Sequence, residues 1–99
     1  MATDIIKTEH PHIVRAPGAA GDTAVIAGTR IGVWFIVRQI RTGDSPEDIV
    51  VALPHLSLAG VYDAMSYYHD HRAEIDPIIE EGDRLAQQHG DALTSHPER

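Results

Sequence analysis

The sequence predicts a mainly α fold: a short N-terminal β-strand pair, a three-helix helix-turn-helix core and a C-terminal amphipathic helix. Three observations predict it. Two β-branched patches, Ile13-Val14 and Val25-Ile26, flank a stretch rich in Gly, Ala and Pro. Apolar residues then recur at helical spacing in three stretches, 33–42, 46–53 and 58–70, separated by Gly or Pro. Asp76-Pro77 opens a last helical pattern over 77–89.

The 99 residues and 10.8 kDa are enough for one core of several helices and too few for two, so a single domain over 1–99 is expected. Its strand pair lies within 10–31, its helical core within 33–70, and residues 91–99 read as a frayed tail. The loop between the two β-branched patches is too long for a tight hairpin. The strands are therefore expected to pair with those of a second copy, with Gly18 and Gly21 as flexible punctuation.

In the first helix Val33, Trp34, Ile36, Val37 and Ile40 share a face, Arg38 and Arg41 lie on another, and Gly43 is the stop signal. The second opens on Ser45-Pro46-Glu47-Asp48, a serine cap followed by proline and first-turn acids, and ends at Pro54. Ser57 caps the third, for which the pattern places Leu58, Val61, Tyr62, Met65, Tyr68 and His69 inward. Asp63, Ser66, Tyr67 and Asp70 are then outward. The last helix turns Ile78, Ile79, Leu85 and Ala86 to one side, weakened by Gly82.

The chain has no cysteine, which excludes a disulfide framework, a thiolate zinc site and a cysteine nucleophile, and points to the cytoplasm. No apolar run approaches the roughly 18 residues of a membrane span, and the N-terminus has no signal-peptide pattern. The net charge of −7 is unevenly placed: residues 1–43 carry +2 and residues 44–99 carry −9. Only the first half suits a polyanion.

A helix-turn-helix would place its third helix in a major groove, yet no Lys or Arg lies between Ser57 and Asp70. On that helix only Ser66 and Tyr67 could address DNA; Arg15, Arg30, Arg38 and Arg41 are the better phosphate candidates. Solvated surface, or a salt bridge for Arg30, is the alternative. Among the seven histidines, His10-Pro11-His12 and His69-Asp70-His71 are the suggestive pairs. Residues two apart on a helix lie about 200° around its axis, so His69 and His71 cannot share an ion unless the helix ends between them, and no metal site or cofactor is expected. His69 is read as partly interior, and His10 and His12 as exposed.

No nucleophile with a base, pocketed carboxylate pair or phosphate-cradling glycine loop is recognisable, so the protein is expected not to be an enzyme. The C-terminal helix suits packing in cis or lying in a groove of another protein, with Ile75, Ile78, Ile79 and Leu85 as candidate contacts. Its acidity favours a basic partner surface.

Gly28-Thr29-Arg30-Ile31, Ser45-Pro46-Glu47-Asp48-Ile49, Leu53-Pro54-His55-Leu56-Ser57, Ala64 to Tyr68 and His71-Arg72-Ala73-Glu74-Ile75-Asp76 follow in order. Over about residues 10–76 the chain resembles the domain-of-unknown-function family numbered four hundred and thirty-three, grouped with antitoxins of type II toxin–antitoxin systems. The resemblance implies a homodimer with a homeodomain-like or winged-helix-like helix-turn-helix core. It further implies a PIN-like ribonuclease toxin as partner, and operator DNA. The chain departs from the family's Gly-Gly-Lys-Pro-Val-Ile-basic pattern with Gly21-Asp22-Thr23-Ala24-Val25-Ile26-Ala27, losing two positive charges, and has Gly32 where Pro or Thr is usual. A dimerisation or partner-binding module of the same fold without DNA binding is the rival reading.

Overall fold

The computed structural model describes residues 5–18 and 21–94. They form a mainly helical structure with a three-stranded antiparallel sheet near the N-terminus: β1 (Ile6–Lys7), β2 (Ile13–Gly18), β3 (Gly21–Ile26), α1 (Val33–Arg41), α2 (Pro46–Ala52), α3 (Leu58–Asp70) and α4 (Arg72–Thr94).

The strands correct the sequence reading in two ways. β1 was not anticipated; it pairs Ile6 with Arg15 and Lys7 with Val14. β2 and β3 pair within one chain, from Ile13 opposite Ile26 to Gly18 opposite Gly21, so only two residues separate the ladder ends. The ladder runs well past the β-branched residues because it is built from backbone groups, which Ala, Thr and Gly also supply. Pro17 is tolerated because β1 stops at the level of Arg15, leaving that part of β2 with one neighbour.

The sheet hands the chain to α1 through a turn held by Thr29, whose Oγ1 donates to the Ile26 carbonyl at 2.8 Å and accepts the Ile31 N–H at 3.0 Å. Gly32 is the N-cap of α1, and a Cβ there would lie 2.5 Å from the Trp34 indole. Gly and Trp are matched here, and the indole takes the space that a side chain at 32 would need. α1 ends at Arg41 with Thr42 as its C-cap, and Gly43 follows with a φ of +110°, a stop that only glycine makes without strain. α2 has the anticipated start: Ser45 Oγ accepts the Asp48 N–H and Asp48 Oδ2 accepts the Ser45 N–H, each at 3.0 Å.

α3 has the predicted bounds but is rotated from the predicted face. Gly60, Val61, Ala64, Tyr67 and Tyr68 are buried, whereas Leu58, Tyr62 and His69 are exposed. The small Gly60 and Ala64 let α3 approach the sheet closely; a Cβ on Gly60 would lie 3.5 Å from Ile26 Cγ2. Both tyrosines can be buried because each hydroxyl meets a donor and a carboxylate.

α4 begins at Arg72, five residues before the predicted start, and reaches Thr94, beyond the predicted end at 89 and into the tail read as frayed; residues 95–99 lie outside the described residues. The His71 carbonyl accepts the N–H groups of Glu74 and Ile75 at 3.0 and 3.1 Å, so the helix is under way before Pro77. A proline inside a helix costs about 3 kcal/mol. Exposure of Ala73 and Pro77 lets water reach the Ala73 carbonyl that the proline leaves unbonded. Burial of Ile75 and Ile79, about 1.5–3 kcal/mol each, offsets the rest. The core gathers Ile13, Ala24 and Ile26 of the sheet with Val33, Ile36 and Val37 of α1, Ile49, Leu56, the buried face of α3 and Ile75 and Ile79 of α4.

Candidate partner and nucleic-acid surface

Three of the four arginines singled out for phosphate are held by carboxylates of α4. Arg15 Nη1, from β2, donates to Glu74 Oε2 at 2.5 Å and to the Tyr67 hydroxyl at 3.0 Å. Arg41 Nη2, from α1, donates to the Tyr68 hydroxyl at 2.6 Å and to Asp76 Oδ1 at 3.0 Å. Arg38 Nε lies 3.1 Å from Asp83 Oδ1. Arg30, on the turn before α1, is exposed, has no ion-pair partner among the described residues and rims an apolar hollow with Ile31, Trp34, Phe35 and Leu53.

Tyr67 cannot address DNA from where it lies. It is 1% exposed, its hydroxyl donates to Glu74 Oε1 at 2.8 Å, and burial together with Glu74 pushes its pKa up to about 12. The sequence pattern put it outward because Tyr62 and Met65 also satisfied an apolar stripe one step around the helix; Ser66 alone of the two candidates on α3 is exposed. The Tyr68 hydroxyl donates to Asp76 at 2.6 Å, and this bond, with Arg41 and Arg72 nearby, holds the Asp76 carboxyl below the usual range. The Arg41 and Arg72 guanidiniums sit 5.6 and 5.3 Å from the centre of the Tyr68 ring.

The candidate partner contacts divide in the same way. Ile75 and Ile79 are each 1% exposed and belong to the chain's own core, because residues four apart on α4 face α1 and α3. Ile78 is half-buried beside them, and Leu85 is exposed.

A second polar cluster joins the segment before β2 to the end of α3. His10 is buried, against the expectation of an exposed residue. Its Nδ1 lies 3.0 Å from Asp63 Oδ1 and its Nε2 2.8 Å from Asp70 Oδ2. The His12 backbone N–H donates to Asp63 Oδ2 at 2.8 Å, and Thr8 Oγ1 ties the segment together by accepting the His10 N–H and donating to the Ile13 carbonyl. His71 stacks on Tyr67 with ring centres 4.2 Å apart and meets Glu9 Oε2 through Nε2 at 2.6 Å. Burial opposes a charge on His10, but the two carboxylates outweigh it and its pKa is raised. Burial likewise opposes ionisation of Asp63, and the His12 N–H with the two imidazoles outweighs it and lowers its pKa. The signal in the sequence is the seven-residue spacing of Asp63 and Asp70, which puts both on one face of α3.

The family model described as "Protein of unknown function (DUF433)" matches residues 13–68. The chain belongs to the DUF433 family. No curated protein and no solved structure matches it. The DUF433 match runs from the start of β2 to Tyr68, so the partners of Arg15, Arg38 and Arg41 on α4 lie beyond it. His10, Asp70 and His71 also lie outside it. No described helix is long and apolar enough to cross a membrane.

Proposed function

We propose that this DUF433 protein is a non-enzymatic, antitoxin-like partner-binding protein. In this reading its α1–α3 unit is a homeodomain-like helix-turn-helix core, and its ligand is a PIN-like ribonuclease toxin engaged by the outer face of α4. The observation that carries it is the pairing of Glu74, Asp76 and Asp83 with Arg15, Arg41 and Arg38. Those arginines hold α4 in place, which leaves Lys7 and Arg30 as the cations without an ion pair among the described residues. The exposed Glu80 and Leu85 of α4, beside a Glu81 that is paired with Arg84, give a narrow acidic-apolar strip. Such a strip complements the basic surface with which a ribonuclease holds RNA.

Operator DNA is secondary in this reading and falls to Arg30. A variant with Arg30→Ala should lower the salt slope of any DNA binding by about one unit, and Arg38→Ala with Arg41→Ala should act on stability first. The homodimer is part of the proposal and is checked by sedimentation.

The deciding experiment is to tag the chain in its host, purify it at moderate salt and identify what accompanies it. A stoichiometric small nuclease that is lost from Leu85→Asp supports the reading. A chain that emerges without a protein partner, or one that retains the nuclease in Leu85→Asp, overturns it in favour of a dimerisation module of the same fold.

A further inference from the structure

One imidazole nitrogen and two carboxylate oxygens of the His10 cluster converge on one point. Asp63 is a largely buried carboxylate, its side chain 14% exposed, that already accepts the His12 backbone N–H. Facing it at 3.0 Å, Nδ1 of His10 carries a proton, as an acceptor there would meet an acceptor. Nε2 faces Asp70 Oδ2 at 2.8 Å and Glu9 Oε2 at 3.9 Å, so without an ion a proton bridges it to Asp70, and a bound cation would take that proton's place. The three atoms lie within 4.8 Å of one another. The His10 side chain is nine-tenths buried and cannot swing away, and His71, stacked on Tyr67, holds Glu9 in place.

We propose that Glu9, His10 and Asp70 bind one zinc-type divalent cation through His10 Nε2 and one carboxylate oxygen from each acid, with a fourth position open to water. The spacing suits the ion: ligand atoms about 2.0–2.1 Å from tetrahedral zinc are about 3.3–3.5 Å apart, and 2.8 and 3.9 Å bracket that value. An imidazole with two carboxylates favours zinc over calcium or magnesium, which take shells of oxygen. Asp63 orients the ring by accepting its Nδ1 proton, the usual arrangement behind a metal-bound histidine. The ion would join the segment before β2 to the last turn of α3. The antitoxin reading is not needed for this inference, and neither falls with the other.

The test uses the full chain stripped with chelator and titrated with Zn2+ alone, followed by calorimetry and thermal unfolding. One saturable zinc per chain with a raised unfolding midpoint is expected, and Co2+ in its place should give the visible absorption of a tetrahedral site. Asp63→Asn should weaken binding about tenfold to a hundredfold. Asp70→Asn and Glu9→Gln, at exposed positions, should weaken it at least as much, each variant's own midpoint in chelator being the reference for its zinc-induced rise. Glu80→Gln, an exposed acid on α4, should change nothing. Binding that survives both ligand variants belongs to other histidines and overturns the proposal. So does the absence of saturable binding up to about 1 mM Zn2+, which leaves a proton between His10 and Asp70.

Discussion

Arg15 of β2 and Glu74 of α4 stand 59 positions apart in the chain and 2.5 Å apart in space, with the Tyr67 hydroxyl bonded to both. This three-way contact ties the sheet, α3 and α4 together at one place. Replacing Glu74 by Ala leaves a half-buried guanidinium and a buried hydroxyl without their acceptor and should cost about 1–3 kcal/mol. Tyr67→Phe, which keeps the ring, should cost about 1 kcal/mol. Chemical denaturation measures both. A Glu74→Ala cost below about 0.5 kcal/mol would place the contact among ordinary surface pairs.

Asp76 predicts how stability falls in acid. Its folded pKa lies below 3.8, first through the Tyr68 hydroxyl and then through Arg41. A depressed carboxyl contributes stability that is whole above its unfolded pKa and is lost as pH falls through the folded one. The stability difference between the native chain and Asp76→Asn should therefore be constant above about pH 5 and shrink below it. A difference that persists unchanged into acid would mean that packing, not charge, separates the two.

Gly32 and Trp34 make a prediction that fluorescence can read, because Trp34 is the sole tryptophan. Gly32→Ala puts a methyl group 2.5 Å from the indole and should displace it, costing about 1–3 kcal/mol and shifting the emission maximum. Adding Trp34→Leu should recover much of the loss. Unchanged emission in Gly32→Ala would show that the two residues are not matched.

The two faces of α4 should separate cleanly by mutation. Ile79→Ala opens a cavity in the core and should cost about 2–5 kcal/mol in denaturant. Leu85→Ala, at 47% exposed, should stay within about 0.5 kcal/mol. Equal costs at the two positions would mean that α4 is buried on both sides, by a second copy or otherwise.

The parts of the fold that local chemistry specifies were legible in the residues. Ser45 and Asp48 cap α2 by bonding to backbone groups three residues away, Gly43 stops α1 by its own conformational freedom, and Ser57 starts α3. The start of α4 was not legible. Asp76-Pro77 has the chemistry of a helix start, but Asp76 is held instead by Tyr68 and Arg41 from other elements, and the helix begins five residues earlier. The hairpin is hidden for a related reason: its pairing runs through the backbone of Gly, Ala and Pro residues, which carry little strand signal.

The sequence by itself determined the succession of elements, most of the helix boundaries, the uneven charge and the family, because caps, stops and periodicity act within a few residues. Tertiary structure alone decided which face of α3 is buried, that α4 claims Arg15, Arg38 and Arg41, and that His10 meets Asp63 and Asp70. Two apolar stripes on α3 differ by a rotation of one residue, and only the shape of the sheet and α4 selects between them. An arginine reads the same in sequence whether its anion is a phosphate or a carboxylate from the other end of the chain, and that choice follows from where Ile75 and Ile79 seat α4 in the core.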